Sequence, residues 1–170
     1  LATSKVCREM GIPLTVLVRG EEPEKLSEVL EMCLINGAKI VWIDRASFRK
    51  RYLHEQIFHW LKSESLVHPA LWVPEGGNNE FGALGCQRII EEINRPFDYF
   101  CLPCGTGSTM AGCLRLLNNR AYCIGISVLK MGYGMRVNVA QLSDRLQSQN
   151  RHWHIENGFH FGGYAKVTEG

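Results

Sequence analysis

The spacing of apolar residues along the chain alternates between that of a helix and that of a buried strand. In residues 25–36 apolar side chains fall at helical spacing and Gly37 follows, which predicts a helix that ends at this glycine. Short apolar runs rich in β-branched residues flank the helix, at 14–18 and 39–44. We therefore predict the order strand, helix, strand for this part of the chain.

The same alternation continues along the rest of the chain. We predict further strands at 68–73, 97–102, 122–128 and 152–156. Predicted helices separate them, and their apolar residues lie within 53–61, 84–93, 108–117 and 139–146. Strands that alternate with helices form parallel sheets with helices on both faces, connected by right-handed crossovers. The sequence therefore predicts the α/β class, with three-layer open parallel sheets.

The segment 74–79, Pro-Glu-Gly-Gly-Asn-Asn, is the best candidate for a domain boundary, because a predicted strand ends there in turn-forming residues. We predict two domains, residues 1–73 and residues 74–170. The chain starts with Leu1 rather than Met, within a predicted helix, and it stops soon after a predicted strand. We therefore expect an internal piece of a longer protein, incomplete at both ends.

Composition excludes several classes of protein. With 45% apolar and 21% charged residues, the 170-residue chain has the make-up of a folded domain and not of a disordered, collagen-like or coiled-coil protein. Its 19 basic and 17 acidic residues leave a net charge of +2, so we expect no nucleic-acid partner. Interrupted apolar runs predict no membrane span. Seven cysteines, scattered through apolar stretches, predict a cytoplasmic location.

One connection between a predicted strand and a predicted helix is built of small residues: Gly105, Thr106, Gly107, Ser108 and Thr109. Backbone N–H groups and hydroxyls in such a loop converge on an anion, and the helix N-terminus adds positive potential. No Asp or Glu occurs between Asp98 and Asp144, so this segment brings no like charge to an anion. The loop therefore predicts a phosphate site, and the alternative is a Gly-rich turn that holds no ligand.

This loop departs from two common nucleotide-binding motifs. A P-loop ends in Gly-Lys-Ser/Thr, and no lysine is present here. A dinucleotide fingerprint would have its third glycine at Met110 and an acidic residue about 20 positions further on, which the acid-free stretch does not supply. A cofactor with one small phosphate group fits the loop better.

Four short motifs follow one another along the chain. They are Arg19-Gly20-Glu21; Val73-Pro74-Glu75-Gly76-Gly77-Asn78-Asn79 with Gly82-Ala83-Leu84-Gly85; Gly105-Thr106-Gly107-Ser108-Thr109 with Ala111-Gly112; and Gly162-Gly163-Tyr164-Ala165-Lys166. In this order they resemble the 1-aminocyclopropane-1-carboxylate (ACC) deaminase and D-cysteine desulfhydrase family. That family belongs to the fold-type II, tryptophan-synthase-β-like enzymes, which use pyridoxal 5′-phosphate (PLP). The resemblance covers essentially the whole chain.

The resemblance implies a cofactor site and a catalytic residue. The backbone and hydroxyl groups of residues 105–109 would hold the PLP phosphate, in the larger domain, whereas residues 1–73 would form most of the small one. Tyr164 matches an aromatic position near cofactor and substrate, where a phenol can stack or transfer a proton. The loop 76–79 would lie close to the active-site cleft, with no role assigned. Related enzymes act on a small amino acid and are commonly homodimers, so we expect both of this protein.

The activity implied is that of a PLP-dependent deaminase or lyase. D-cysteine would yield pyruvate, sulfide and ammonia, and ACC would yield 2-oxobutyrate and ammonia. The alternatives are another β-family PLP enzyme, of the serine dehydratase or cysteine synthase type, and a non-catalytic α/β module that binds a phosphorylated metabolite. PLP enzymes need a Schiff-base lysine, which in this family lies in a Gly-Asn-Lys type motif. None of the seven lysines has such a setting, so we predict that the chain alone is inactive.

Cysteine and histidine pairs suggest other chemistry. Cys101-Leu102-Pro103-Cys104 is a Cys-x-x-Cys before a helix, as in redox centres, but Cys101 lies in an apolar strand and is predicted to be buried. Cys104, near the helix N-terminus, is predicted to have a lowered pKa and to be the most reactive thiol. His152 and His154 share one strand face without further ligands, so we predict no metal site.

Overall fold

The chain folds as two compact units, residues 1–70 and 71–170. The computed structural model describes residues 1–50, 71–129 and 132–159. The predicted helix at 53–61 lies outside the described residues. So does the start of the predicted strand 68–73, whose last residues, 71–73, are not part of a strand, because they pair with no described strand. The assignment of the two units as small and large enzyme domains stays a prediction.

The first unit contains a two-stranded parallel sheet. Its elements are α1 (Ala2–Met10), β1 (Thr15–Arg19), α2 (Glu28–Ile35), β2 (Lys39–Ile43) and α3 (Arg45–Arg49). The strands pair in register from Thr15 opposite Lys39 to Arg19 opposite Ile43. Helix α2 begins later than predicted because Ser27 is extended and serves as its N-cap. Gly37, with φ 84°, lies just past its end, as predicted, and its N–H donates to the Leu34 carbonyl.

The second unit contains a three-stranded parallel sheet in the order β3-β4-β5. Its strands are β3 (Tyr99–Cys104), β4 (Tyr122–Ser127) and β5 (Trp153–Glu156), and its helices are α4 (Glu80–Gly85), α5 (Arg88–Glu91), α6 (Ser108–Leu117) and α7 (Gly132–Arg145). A short 3₁₀ turn, Glu75–Gly77, precedes α4. The predicted α/β class with parallel sheets and helices is confirmed. None of the described helices is both long and apolar enough to cross a membrane.

The core of the second unit lies between one face of this sheet and the helices α6 and α7. Along β3 the side chains alternate, so that Leu102 and Cys104 are buried whereas Tyr99 and Cys101 are exposed. Helix α6 turns Met110, Cys113, Leu114 and Leu117 into the core, and Met135 and Val139 of α7 are fully buried against it. The connection between β3 and α6 therefore joins two elements that are both packed into this core.

Parallel strands bring their carboxyl ends to the same edge of the sheet. The Val128 N–H, just after β4, donates to the Cys104 carbonyl at the end of β3. The connection after β3 therefore leaves the sheet beside the connection after β4. In α/β folds the ligand sites are found at this edge.

Candidate functional site

The glycine loop, residues 105–109, comprises the connection after β3 and the first turn of α6. Gly107 is the N-cap of α6, in the left-handed conformation with φ 89° and ψ −5°. The N–H groups in the first turn of a helix have no acceptor within the helix, and they form the positive end of its dipole. The first turn of α6 has no acidic residue. The loop therefore presents N–H donors and positive potential at the carboxyl edge of the sheet.

The loop is crowded on one side and open on another. A Cβ atom built on Gly107 would lie 2.5 Å from Val139 Cγ2 of α7, and one built on Gly76 would lie 2.7 Å from Thr106 Cγ2. A Cβ on Gly105 would meet nothing within 4 Å. The loop is thus packed against α7 and the 3₁₀ turn, and there is room beside Gly105.

Two asparagines connect the glycine loop to the segments around it. Asn138 of α7 donates from Nδ2 to the Thr106 carbonyl oxygen, and also to Asn78 Oδ1 at 2.8 Å. Asn78, which follows the 3₁₀ turn, accepts the Ser108 hydroxyl on the same Oδ1 at 3.0 Å. The Thr106 and Ser108 hydroxyl oxygens lie 3.1 Å apart. Side chains from the 3₁₀ turn, the loop and α7 thus form one network.

The direction of each hydrogen bond in this network follows from its carbonyl groups. The Thr106 carbonyl can only accept, so Asn138 must present its Nδ2 to it. The same Nδ2 faces Asn78 Oδ1, and an amide oxygen also only accepts, so Ser108 gives its proton to Asn78. Ser108, whose side chain is buried, then accepts from Thr106. The Ser108 hydroxyl is therefore turned toward Asn78.

The structure brings together all five residues predicted from the loop motif. The Thr109 hydroxyl oxygen accepts the Cys86 thiol at 3.7 Å, which leaves the Thr109 proton for another acceptor. The predicted catalytic residue, Tyr164, lies outside the described residues. Sequence reasoning missed Asn138, although an asparagine inside a helix pattern has low helix propensity and is a signal for a side chain with another role.

Arg115 adds little to the positive potential that the helix N-terminus gives the loop. Arg115 belongs to the acid-free segment but lies in the last turn of α6. The 10-residue helix is about 15 Å long, more than the Debye length at physiological salt, so the Arg115 charge is largely screened at the loop.

The two cysteines of the Cys-x-x-Cys lie on opposite faces of β3, and both predictions about them are wrong. Cys101 is exposed, because no described helix covers its face of the sheet. Cys104 is 2% exposed and its Sγ packs against Met110 Sδ at 3.8 Å. Burial raises the pKa of the Cys104 thiol to about 11, so the predicted lowering by the helix N-terminus does not occur. Side chains that point to opposite faces do not meet the geometry of a disulfide.

We expect iodoacetamide to modify Cys101 at least about 100-fold faster than Cys104 in the folded chain, because only thiolates react and a thiol of pKa 11 is about one-thousandth ionised at pH 8. Tandem mass spectrometry of the peptide that contains both residues measures the two rates. In urea the rates should converge. Equal rates in the native chain would contradict the placement of Cys104.

Histidines 152 and 154 are not arranged as a metal site. The His154 ring packs against Tyr122, with ring centroids 5.6 Å apart, and His152 is exposed. Among the residues that the structure describes, no group of three or more His, Cys, Asp or Glu side chains converges in a way that could hold a metal ion.

Comparison with known proteins decides the family. The family model described as pyridoxal-phosphate dependent enzyme matches residues 1–141. The chain belongs to this family. The cofactor predicted from the sequence is therefore confirmed as that of the family, and membership places the chain among PLP-dependent enzymes. No curated protein matches the chain.

Solved structures share the fold of the chain. A structure described as an ACC deaminase homologue has a TM-score of 0.73 and 26% identity, over 98% of this chain and 54% of its own. A hydrogen sulfide-producing enzyme from Fusobacterium nucleatum has a TM-score of 0.50 and 12% identity, over 78% of this chain and 45% of its own. The chain thus spans about half the length of these structures, and the second likeness shows the fold alone.

Proposed function

We propose that the glycine loop holds the phosphate group of PLP. The observation that carries this is the left-handed Gly107 at the N-terminus of α6, which places several N–H donors in one turn. Phosphate oxygens accept such bonds strongly, and Thr106 and Thr109 add hydroxyls beside them. The open side at Gly105 gives a small anion room to approach. The residues present therefore fit the cofactor of the family.

Each residue of the loop would contribute in its own way. Gly105 and Gly107 would donate their backbone N–H groups. Ser108 would likewise donate its backbone N–H, because its hydroxyl is turned toward Asn78. Thr106 and Thr109 would donate from backbone and hydroxyl, since rotation about χ1 can turn either hydroxyl toward an anion. When bound, PLP supplies the electron sink for bonds broken at Cα or Cβ of an amino acid.

We infer further that the protein to which this chain belongs is a deaminase or lyase of small amino acids. D-cysteine and water would give pyruvate, hydrogen sulfide and ammonia, and ACC and water would give 2-oxobutyrate and ammonia. The order of the four sequence motifs and the 26% identity to an ACC deaminase homologue support this proposal. A cysteine synthase or serine dehydratase type of reaction uses the same cofactor chemistry and is the first alternative.

A substrate test separates these activities in the protein that carries the chain together with a Gly-Asn-Lys type motif. Sulfide released from D-cysteine, or 2-oxobutyrate released from ACC, would support the proposal. Turnover of L-serine alone would support the alternative. Phosphate binding with no covalent lysine adduct in that protein would favour the non-catalytic module. Tyr164 as proton carrier, the homodimer and the cytoplasmic location stay predictions of the sequence.

The 170-residue chain should bind PLP at the glycine loop without forming a covalent bond to it. The second unit has two lysines in its sequence, Lys130 and Lys166, and no lysine of the chain has the Gly-Asn-Lys setting. We expect PLP to bind at least about tenfold more tightly than pyridoxal, because pyridoxal lacks the charged phosphate. Titration followed by absorbance measures both affinities.

Borohydride reduction provides the second readout of this experiment. After reduction and digestion, mass spectrometry should find no pyridoxyl group on any of the seven lysines above the level of urea-unfolded chain. A stoichiometric label on one lysine would show that the chain completes the site by itself. Equal affinities for PLP and pyridoxal would overturn the proposed phosphate site.

A further inference from the structure

Asn138 makes two hydrogen bonds that no other residue type of its size could make together. One amide nitrogen, with two protons, donates to the Thr106 carbonyl and to Asn78 Oδ1. Aspartate and leucine of similar size have no proton to donate at neutral pH. The residue belongs to α7 and lies beside Val139, whose side chain contacts Gly107. Helix α7 therefore supports the glycine loop by shape at Val139 and by hydrogen bonds at Asn138.

The bond to the Thr106 carbonyl fixes the orientation of a donor in the loop. In a planar trans peptide the carbonyl oxygen and the following N–H point in opposite directions. When Asn138 holds the Thr106 oxygen toward α7, the Gly107 N–H must point away from α7. The orientation of one proposed phosphate donor is therefore set by a residue that does not itself contact the phosphate.

Asn78 contacts the start of α6 in a similar way, through the Ser108 hydroxyl. Its Oδ1 receives protons from both Asn138 and Ser108, at 2.8 and 3.0 Å. The next residue, Asn79, caps α4 by accepting the Gly82 N–H at 2.8 Å, so the backbone that carries Asn78 is anchored. The loop 76–79, which the sequence left without a role, thus links α4 to the glycine loop.

We propose that Asn138 and Asn78 are positioning residues that hold the glycine loop in its anion-binding conformation before the ligand arrives. The inference rests on the proposed function of this loop. A loop that is already ordered loses less conformational entropy on binding, and its backbone N–H donors need no reorganisation. Loss of either asparagine should therefore weaken phosphate binding even though neither side chain donates to the phosphate.

The test compares Asn138→Ala with Asn119→Ala in the full chain. Asn119 also makes two hydrogen bonds, both with backbone groups: it donates to the Gln149 carbonyl at 3.1 Å and accepts from the Arg151 N–H at 2.8 Å. It follows the far end of α6. Both variants lose side-chain hydrogen bonds within the second unit, and only those of Asn138 reach the glycine loop. Asn119→Ala therefore controls for general loss of stability.

The readouts are the affinity for inorganic phosphate and the Gly107 amide signal in ¹H–¹⁵N spectra. We expect Asn138→Ala to bind phosphate about tenfold more weakly and to move the Gly107 signal of the free chain. Asn119→Ala should keep the affinity within about twofold, whatever stability it loses. Asn78→Ala leaves α7 unchanged and should weaken binding about fivefold, so it tests the same network if the first variant does not fold.

The outcomes separate the two proposals. If the unchanged chain binds no phosphate, the proposed function is overturned and this inference with it. If it binds, and Asn138→Ala and Asn78→Ala bind equally well, only the positioning role is overturned. An equal loss of phosphate affinity in Asn119→Ala would show that lost stability alone accounts for the weaker binding. That result would also overturn the positioning role.

Discussion

Gly107→Ala is expected to lower the free energy of unfolding of the second unit by about 2–5 kcal/mol and to remove measurable phosphate binding. A left-handed backbone costs a residue with Cβ about 1–2 kcal/mol. The new methyl group would also lie 2.5 Å from Val139 Cγ2, and overpacking of this kind costs about 1–3 kcal/mol. Relief of both strains must move Gly107 away from α7, which displaces the N–H donors of the loop. Urea unfolding followed by circular dichroism and a phosphate titration measure the two effects.

Gly105→Ala is the matched control. Its Cβ would meet nothing within 4 Å and its φ lies outside the left-handed region, so the free energy of unfolding should change by less than about 1 kcal/mol. The same loop with the same added methyl group thus separates crowding against α7 from any general intolerance of alanine. A similar loss of unfolding free energy in Gly105→Ala and Gly107→Ala would contradict the packing of Gly107 against α7.

Local patterns predicted the elements on which the glycine loop depends. The sequence places a run of small residues between an apolar strand and a helix from Ser108, and the structure has this helix at Ser108–Leu117. Each signal acts over a few residues: apolar spacing sets the helix, and a glycine at its start permits the left-handed N-cap. For the same reason a phosphate site could be predicted at this loop before its surroundings were known, and this site stays a prediction.

Contacts between distant segments could not be predicted in this way. Asn78 and Asn138 are 60 positions apart, and only the packing of α7 against the loop brings them together. The pKa of Cys104 was predicted wrongly for the same reason. The sequence shows that this residue lies beside a helix N-terminus, but not that its side chain points into the core. Likewise, the prediction that Cys101 is buried assumed a sheet covered on both faces.

Some motif residues turn out to serve packing rather than the site. Ala83 and Gly112 belong to the motifs that carry the family resemblance, and neither lies in the glycine loop. Ala83 of α4 is fully buried, and the carbonyl of this residue faces Gly112 of α6. The two helices approach so closely because neither position carries a larger side chain. A short motif can therefore identify the family while reporting on helix packing.

Gly112→Ala is expected to destabilise the second unit by about 3 kcal/mol or more. A Cβ at this position would lie 1.9 Å from the Ala83 carbonyl oxygen and 3.0 Å from Cys86 Cβ. The first of these neighbours is backbone, which no rotamer change can move, so α4 and α6 must separate and leave gaps in the core. Alanine is the better helix former by about 1 kcal/mol, which offsets only part of this cost.

Gly85→Ala in α4 provides the comparison, because its Cβ would meet nothing within 4 Å. That variant gains helix propensity without a clash, so its free energy of unfolding should rise or stay within about 0.5 kcal/mol of the original value. Urea unfolding followed by circular dichroism distinguishes the two. Because Asn78 lies two residues before α4, separation of α4 from α6 should also weaken phosphate binding in Gly112→Ala. A Gly112→Ala chain as stable as Gly85→Ala would show that the two helices do not pack this closely.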